Sequence, residues 1–207
     1  MSPEPSRNRN LGVLISGRGS NLQAIIRAIG DGRLDARIAV VVSNRADAAG
    51  LLRAREAGIE TLCIPHRDFA TREEYDGRLV QELRARDVRL VCLAGFMRVL
   101  GPEFVNAFPN AILNIHPSLL PAFRGLDAQR QALEHGVKVS GATVHLVTCD
   151  LDGGPIVVQA PVPVRDDDTA DTLAARILVE EHKLYPEAIR LVLDGGWEIV
   201  GRRFLIR

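Results

Sequence analysis

Leu11-Gly12-Val13-Leu14-Ile15-Ser16-Gly17-Arg18-Gly19-Ser20-Asn21-Leu22-Gln23-Ala24-Ile25-Ile26 is the stretch that decides the fold. Leu11–Ile15 is a short apolar run of strand character, and Asn21–Ile29 places apolar residues at helical spacing, with two glycines in the turn between them. A strand that passes through glycines straight into a helix opens a βαβ unit. The rhythm repeats outward: Ile38–Val42 before Ala46–Ala57, Thr61–Ile64 before Arg72–Arg86, then Val88–Leu93. Ile38-Ala39-Val40-Val41-Val42 is apolar at consecutive positions, as expected of a strand covered on both faces. The first hundred residues therefore read as Rossmann-like α/β, a mostly parallel sheet with helices on both faces.

From Ile112 the pattern changes. A short strand leads into a loop with Pro117 and Pro121, then a helix near Leu126–Glu134 and strands around Ala142–Val147 and Ile156–Val162. The sheet is expected to gain an antiparallel C-terminal extension. A last helix, Thr169 to about Leu193, has a cap at Asp168 or Thr169, and Asp194-Gly195-Gly196 turns into a short terminal strand. Residues 1–10 carry two prolines and no apolar residue after Met1, which predicts a disordered tail, with 11–207 forming a single domain.

Bulk composition narrows the function classes. The 26 basic and 26 acidic side chains cancel, so the basic excess typical of nucleic-acid binders is missing and no nucleic-acid partner is expected. No apolar run approaches the roughly 20 residues that span a bilayer, and the N-terminal residues lack an apolar signal core. A cytoplasmic protein without a membrane partner is the expectation. Cys63, Cys92 and Cys149 lack metal-type spacing and read as reduced thiols, and the five histidines show no zinc-like pairing, so no metal is expected.

Three segments can carry chemistry. Ser16-Gly17-Arg18-Gly19-Ser20-Asn21 stands at a helix N-terminus, where backbone amides and the positive helix end suit a monophosphate; the glycine and lysine patterns of dinucleotide and P-loop sites are absent. A turn with Ser20 or Asn21 capping the helix is the plain alternative. Asn114 and His116, two residues apart on one strand, share a face. A carboxamide can donate to a developing oxyanion while an imidazole exchanges a proton, the two tasks of acyl transfer. Asp150-Leu151-Asp152-Gly153-Gly154-Pro155 is a turn whose Asp152, if folded back beside His116, would favour and orient the charged imidazole. Spacing alone does not bring the two together.

Leu14 to Ile26, Leu93-Ala94-Gly95-Phe96-Met97-Arg98, Asn114 to Pro121 and Leu151 to Pro155, in that order, resemble the phosphoribosylglycinamide formyltransferases, a family of folate-dependent formyltransferases. The likeness runs from about Leu11 to Leu193. It implies the formyltransferase fold and formyl transfer from 10-formyltetrahydrofolate, as co-substrate, to the amine of glycinamide ribonucleotide in purine synthesis. By the resemblance, Gly19, Ser20, Asn21 and Glu181 bind the phosphoribosyl substrate. Arg72 and the segment Met97-Arg98-Val99-Leu100, with Asn114, bind the formyl-folate, whose flat ring system needs an apolar slot with polar anchors. Asn114, His116 and Asp152 correspond to the catalytic trio.

Departures from the family pattern fall at Arg124, Asp127 and Gln129, where many members have proline, histidine and histidine, and at Leu178, where some have glutamine. Arg124-Gly125 is similar to the loop of methionyl-tRNA formyltransferase. That enzyme is expected to run further with a basic C-terminal domain, and formyltetrahydrofolate hydrolase to carry an extra N-terminal domain, so both rank behind the amine transferase. A non-catalytic folate-binding sensor ranks lower still, because the trio is complete. Monomer and homodimer both remain open.

Overall fold

Residues 8–207 are described by a computed structural model. Its strands are β1 (Asn10–Ile15), β2 (Arg37–Ser43), β3 (Thr61–Cys63), β4 (Leu90–Leu93), β5 (Ile112–His116), β6 (Val139–Leu146), β7 (Ile156–Pro163), β8 (Trp197–Val200) and β9 (Arg203–Ile206). Its helices are α1 (Ser20–Gly30), α2 (Ala49–Glu56), α3 (Arg72–Arg84), α4 (Pro102–Ala107), α5 (Ala128–Glu134) and α6 (Ala170–Asp194), with a single 3-10 turn at His66–Asp68. The strands form one sheet in the order β3-β2-β1-β4-β5-β6-β7-β9-β8. Pairing is parallel from β3 through β5, antiparallel from β5 through β7, parallel between β7 and β9, and antiparallel between β9 and β8. The mostly parallel sheet with an antiparallel extension is the architecture expected from the strand and helix rhythm.

Helices cover both faces. Leu11, Val13 and Ile15 of β1 enter one apolar cluster with Leu22 and Ile25 of α1, Leu51 of α2 and Leu173 and Ile177 of α6. Leu14 points the other way, into a second cluster with Tyr75, Leu79 and Leu83 of α3 and Phe104 of α4. All four β1 side chains are fully buried, and each such burial is worth about 1.5–3 kcal/mol, which is why a strand of continuous apolar character is stable only here.

Strand order sets where a ligand can sit. The chain winds outward from β1 to β2 and β3, then returns to place β4 and β5 on the other side of β1. In sheets of this kind the crevice forms beyond the carboxyl ends of the strands where the winding reverses, here between β1 and β4. The glycine turn follows β1 and Ala94-Gly95 follows β4.

Three features differ from the expectation. Six-residue α4 was not foreseen; Pro102 starts it and Phe104 buries its apolar face. The terminal strand is a hairpin, β8 and β9, closed by Val200-Gly201-Arg202-Arg203 and stacked through Trp197 and Phe204 at 4.9 Å. The helix expected from Leu126 starts at Ala128, since Asp127 adopts φ 56° and closes the preceding loop. Of the expected tail, residues 1–7 lie outside the described residues. Asn8 and Arg9 are not frayed, because Asn8 Nδ2 donates to Asp87 O at 2.8 Å and Arg9 Nη2 to Asp194 Oδ1 at 2.8 Å, and Asn10 already belongs to β1.

Candidate active site

Ser16 ties three strand ends together. Its N–H donates to Gly95 O at 3.1 Å, its Oγ donates to Asn44 Oδ1 at 2.6 Å, and the same Oγ accepts from Met97 N at 2.8 Å. The turn beyond it packs on α2 so closely that a Cβ at Gly19 would stand 2.7 Å from the Gly50 Cα, and Gly19 has φ 72°. Only glycine meets both demands. Gly19 occupies the cap position of α1 without a capping side chain, so neither Ser20 nor Asn21 caps the helix. The helix's first amides and its positive end thus look onto a cavity of about 960 Å³, lined by Ser16 to Asn21, Asn44 and Arg45, His66 and Arg67, and Met97 and Arg98. Arg18, Arg67 and Arg98 make no ion pair among the described residues. The cavity is suited to an anion.

The Asn21 side chain reaches α6, where its Nδ2 donates to Glu181 Oε2 at 2.8 Å, and both side chains are buried. Burial pushes the Glu181 carboxyl up, and the Asn21 hydrogen bond only partly offsets this. A carboxyl raised in the folded state adds stability at pH below its unfolded pKa and loses it as pH rises through the folded value. Glu181→Gln keeps an acceptor for Asn21 and removes the cost of ionisation. The variant is expected to melt about 2–4 °C higher than the parent at pH 8, with the gain shrinking toward pH 4 in thermal scans. A gain independent of pH would contradict it.

The second cluster lies one strand over, at the end of β5, and its members do not line that cavity. Leu93 of β4 pairs with Asn114, so the two sites adjoin across neighbouring strand ends. Leu113 and Ile115 enter the cluster under α1 and α6, which turns Asn114 and His116 to the opposite face. His116 Nδ1 stands 3.5 Å from Asp152 Oδ2, and its Nε2 is 2.8 Å from the Phe123 carbonyl oxygen, to which it donates. Asp152 does fold back beside His116. It adopts φ 49° in its turn, accepts from Gly125 N at 2.8 Å, and has Oδ1 3.6 Å from His145 Nε2. Burial alone would push its carboxyl up, but hydrogen bonding from His145 and Gly125 and the charge of the two imidazoles hold it below its ordinary value. Gly154 lets the turn lie on β6, since a Cβ there would come 1.8 Å from Leu146 O.

With the geometry in place, comparison with known proteins is decisive. Residues 9–189 match the formyl transferase family. The chain belongs to that family. It is 49% identical to phosphoribosylglycinamide formyltransferase of Escherichia coli, over 90% of this chain and 88% of that protein. It is 47% identical to the human trifunctional purine biosynthetic protein adenosine-3, of which it spans only 19%. It also superposes on the crystal structure of glycinamide ribonucleotide transformylase 1 from Symbiobacterium toebii with a TM-score of 0.96 and 54% identity, covering 100% of this chain and 99% of the other.

On this formyl transferase the remaining expected residues surround the Met97–Gly101 loop. Arg72 Nε lies 3.8 Å from Asp76 Oδ2, and Asp76 accepts from Gly101 N at 2.6 Å, so one buried carboxylate holds both the guanidinium and the loop. Met97 and Val99 are exposed, as are Leu126 and Leu151 on the loops beside His116 and Asp152. Leu100 buries its side chain in the second apolar cluster, so within this segment the exposed side chains are those of its neighbours. Among the described residues no group of three or more histidine, cysteine, aspartate or glutamate side chains is placed to hold a metal, and no helix is long and apolar enough to cross a membrane.

Two of the departing residues, Arg124 and Asp127, find local partners. Arg124 Nη1 pairs with Asp150 Oδ2 at 3.4 Å and Asp127 Oδ2 with Arg130 Nη2 at 2.6 Å, while Gln131 donates to the carbonyls of Arg124 and Leu126. The start of the same loop is pinned on β6, where Thr143 Oγ1 donates to Ser118 O at 2.6 Å and accepts from Leu120 N at 3.1 Å. Sequence reasoning placed Ser16 in the glycine turn without giving it a role of its own, and missed Asn44, Asp76 and Tyr185. The last is fully buried on α6, and its hydroxyl is shared between Leu93 O at 2.9 Å and Leu113 O at 3.1 Å, which fixes the strand ends that carry the site.

Proposed function

We propose that this chain transfers the formyl group of 10-formyltetrahydrofolate to the amine of N1-(5-phospho-D-ribosyl)glycinamide, giving the N2-formyl product and tetrahydrofolate in purine biosynthesis, in the cytoplasm and through residues 11–207 acting as one domain. The observation that carries this reading is the meeting of Asn114, His116 and Asp152 at the strand end adjoining an anion-suited cavity built on the glycine turn. The other activities of the trifunctional relatives are not carried over.

The roles are those the family resemblance implies. Gly19, Ser20 and Asn21 offer the helix N-terminus to the substrate phosphate, and Glu181 anchors the same substrate. Arg72 and Arg98 supply cationic anchors for the folate carboxylates, and exposed Met97 and Val99 give its ring system apolar surface. The substrate amine attacks the formyl carbon, forming a carbon–nitrogen bond and placing the negative charge on the former carbonyl oxygen. Asn114 Nδ2–H and protonated His116 stabilise that oxyanion. The amine then loses a proton, the bond from the formyl carbon to the folate nitrogen breaks, and His116 relays a proton to the departing nitrogen. Asp152 keeps the imidazole charged and oriented. For His116 Nε2–H to reach the reacting oxygen, the Phe123 carbonyl must withdraw, so the loop around Phe123 is expected to shift when folate binds.

An absorbance assay of folate release with 10-formyltetrahydrofolate tests the reading. Turnover is expected with glycinamide ribonucleotide and not without acceptor or with initiator methionyl-tRNA. Turnover without acceptor would identify a hydrolase, turnover with the tRNA would identify that transferase, and folate binding with no turnover would identify a sensor.

A further inference from the structure

The β8–β9 hairpin takes no part in the chemistry above, yet it reaches the turn that carries Asp152. β9 joins the sheet parallel to β7 with Arg203 opposite Ile156, so the residue before β9 lies alongside the residues that lead into β7. That residue is Arg202, in the turn between β8 and β9. Its Nη2 donates to Gly153 O at 2.6 Å. Gly153 is buried, and among the described residues no other hydrogen bond reaches that oxygen. A buried carbonyl stripped of its donor costs about 1–3 kcal/mol, so the hairpin has a hold on the turn.

Where that carbonyl points bears on Asp152, which directly precedes it in the chain. Asp152 holds φ 49°, a left-handed conformation that costs a non-glycine residue roughly 1–2 kcal/mol. The turn is closed at its entry by Gly153 N donating to Asp150 O at 3.0 Å, and at its exit Gly154 lies pressed against β6. Arg202 supplies a third restraint, on the peptide plane between Gly153 and Gly154. Both flanking residues are glycines, whose backbones rotate with little steric resistance, so a donor from outside the turn is needed to fix that plane. We propose that Arg202 is a positioning residue, which holds the Gly153 carbonyl and thereby keeps the Asp152 carboxylate in place beside His116. The C-terminal hairpin then forms part of the support of the active site, although it contributes no group to the chemistry. The proposal rests on the role given to Asp152 above.

Steady-state kinetics of Arg202→Met, Arg202→Lys, Asp152→Asn and the double variant Arg202→Met with Asp152→Asn test it, with Arg203→Met as a control for the lost charge. Arg202→Met keeps the aliphatic stem and removes the donor. A fall in kcat of about 5–30-fold is expected, with KM for both substrates within about threefold of the parent, because a displaced carboxylate weakens the chemical step more than binding. Arg202→Lys restores a donor and is expected to recover most of the loss, while Arg203→Met should stay within about twofold of the parent. In the double variant the methionine should add less than about twofold to the loss of Asp152→Asn, because the carboxylate it positions is already gone. Arg202 stands on an exposed turn, so every variant is expected to fold, with Arg202→Met melting a few degrees below the parent. Parental kcat in Arg202→Met, a defect confined to KM, an equal defect in Arg203→Met, or losses that multiply in the double variant would each overturn the proposal. Asp152→Asn with parental kcat would instead remove the role of Asp152 itself, a different failure from multiplying losses at Arg202.

Discussion

Replacing His116 with alanine is expected to lower kcat for formyl transfer by about 10²–10⁴-fold, the range for removing a positioned acid–base group. The imidazole is buried, with Nδ1 3.5 Å from Asp152 and Nε2 2.8 Å from the Phe123 carbonyl, so its orientation is set from both ends before substrate arrives. Alanine removes both the charge that meets the oxyanion and the route for the proton to the departing folate nitrogen. Asn114 stays, and with it part of the electrostatic stabilisation, which is why residual turnover should persist. KM should change little, since the phosphate and folate anchors lie on other elements. A second effect is structural. The Phe123 carbonyl loses its shorter hydrogen bond and keeps only the longer one from Ser118 Oγ at 3.4 Å, at about 1 kcal/mol, so the melting temperature should also fall by several degrees. Kinetics below that temperature separate the two effects. Near-normal turnover in His116→Ala would remove the proposed mechanism.

Much of the fold was legible because it depends on local chemistry. Continuous apolar runs such as Ile38–Val42, glycines between strand and helix, and the Thr169 cap each act within a few residues. Thr169 indeed accepts from Thr172 N, and the Thr172 hydroxyl answers the Thr169 N–H. The hydrophobic pattern of α4 was too short to register, at six residues. The hairpin of β8 and β9 was hidden because strands this brief are recognisable mainly by their pairing.

The candidate site was legible where chemistry and position coincide on one strand, as with Asn114 and His116. It was not legible where chain-distant groups meet. The Asp152 contact depends on a left-handed residue and a glycine that tolerates the approach of β6, and neither is dictated by spacing. His145 offered only a lone histidine on an apolar strand, a pattern that usually means a packed core residue. Register with β5 is what changes its meaning. Tyr185 and Asp76 gave no signal beyond being polar residues in helices, and their partners lie 92 and 25 residues away.

The Asp152→Asn variant is expected to lose about 10²–10⁴-fold in kcat at pH 7.5, for a reason distinct from His116→Ala. Asparagine keeps the size of the side chain and an oxygen for the Gly125 N–H, so the turn can persist. What it removes is the negative charge 3.5 Å from His116 Nδ1, and without it the protonated imidazole needed for the oxyanion is less favoured. The same substitution has a stability signature whose sign can be stated in advance. Burial raises the Asp152 carboxyl, but the His145 and Gly125 hydrogen bonds and the nearby imidazole charges outweigh it, leaving the folded value below the unfolded one. A carboxylate depressed in this way contributes stability that is fully present above its unfolded pKa and disappears as pH falls through the folded value. The parent should therefore melt above Asp152→Asn by a constant margin from pH 6 to 8, and the margin should narrow below about pH 4, where unfolded carboxylates begin to take up protons. Melting curves of both proteins across that range, beside kcat profiles, give two readouts of one charge. A margin that persists unchanged into acid would mean that the carboxylate is not held by its imidazole and amide partners, and an activity within tenfold of the parent would mean that His116 does not depend on it.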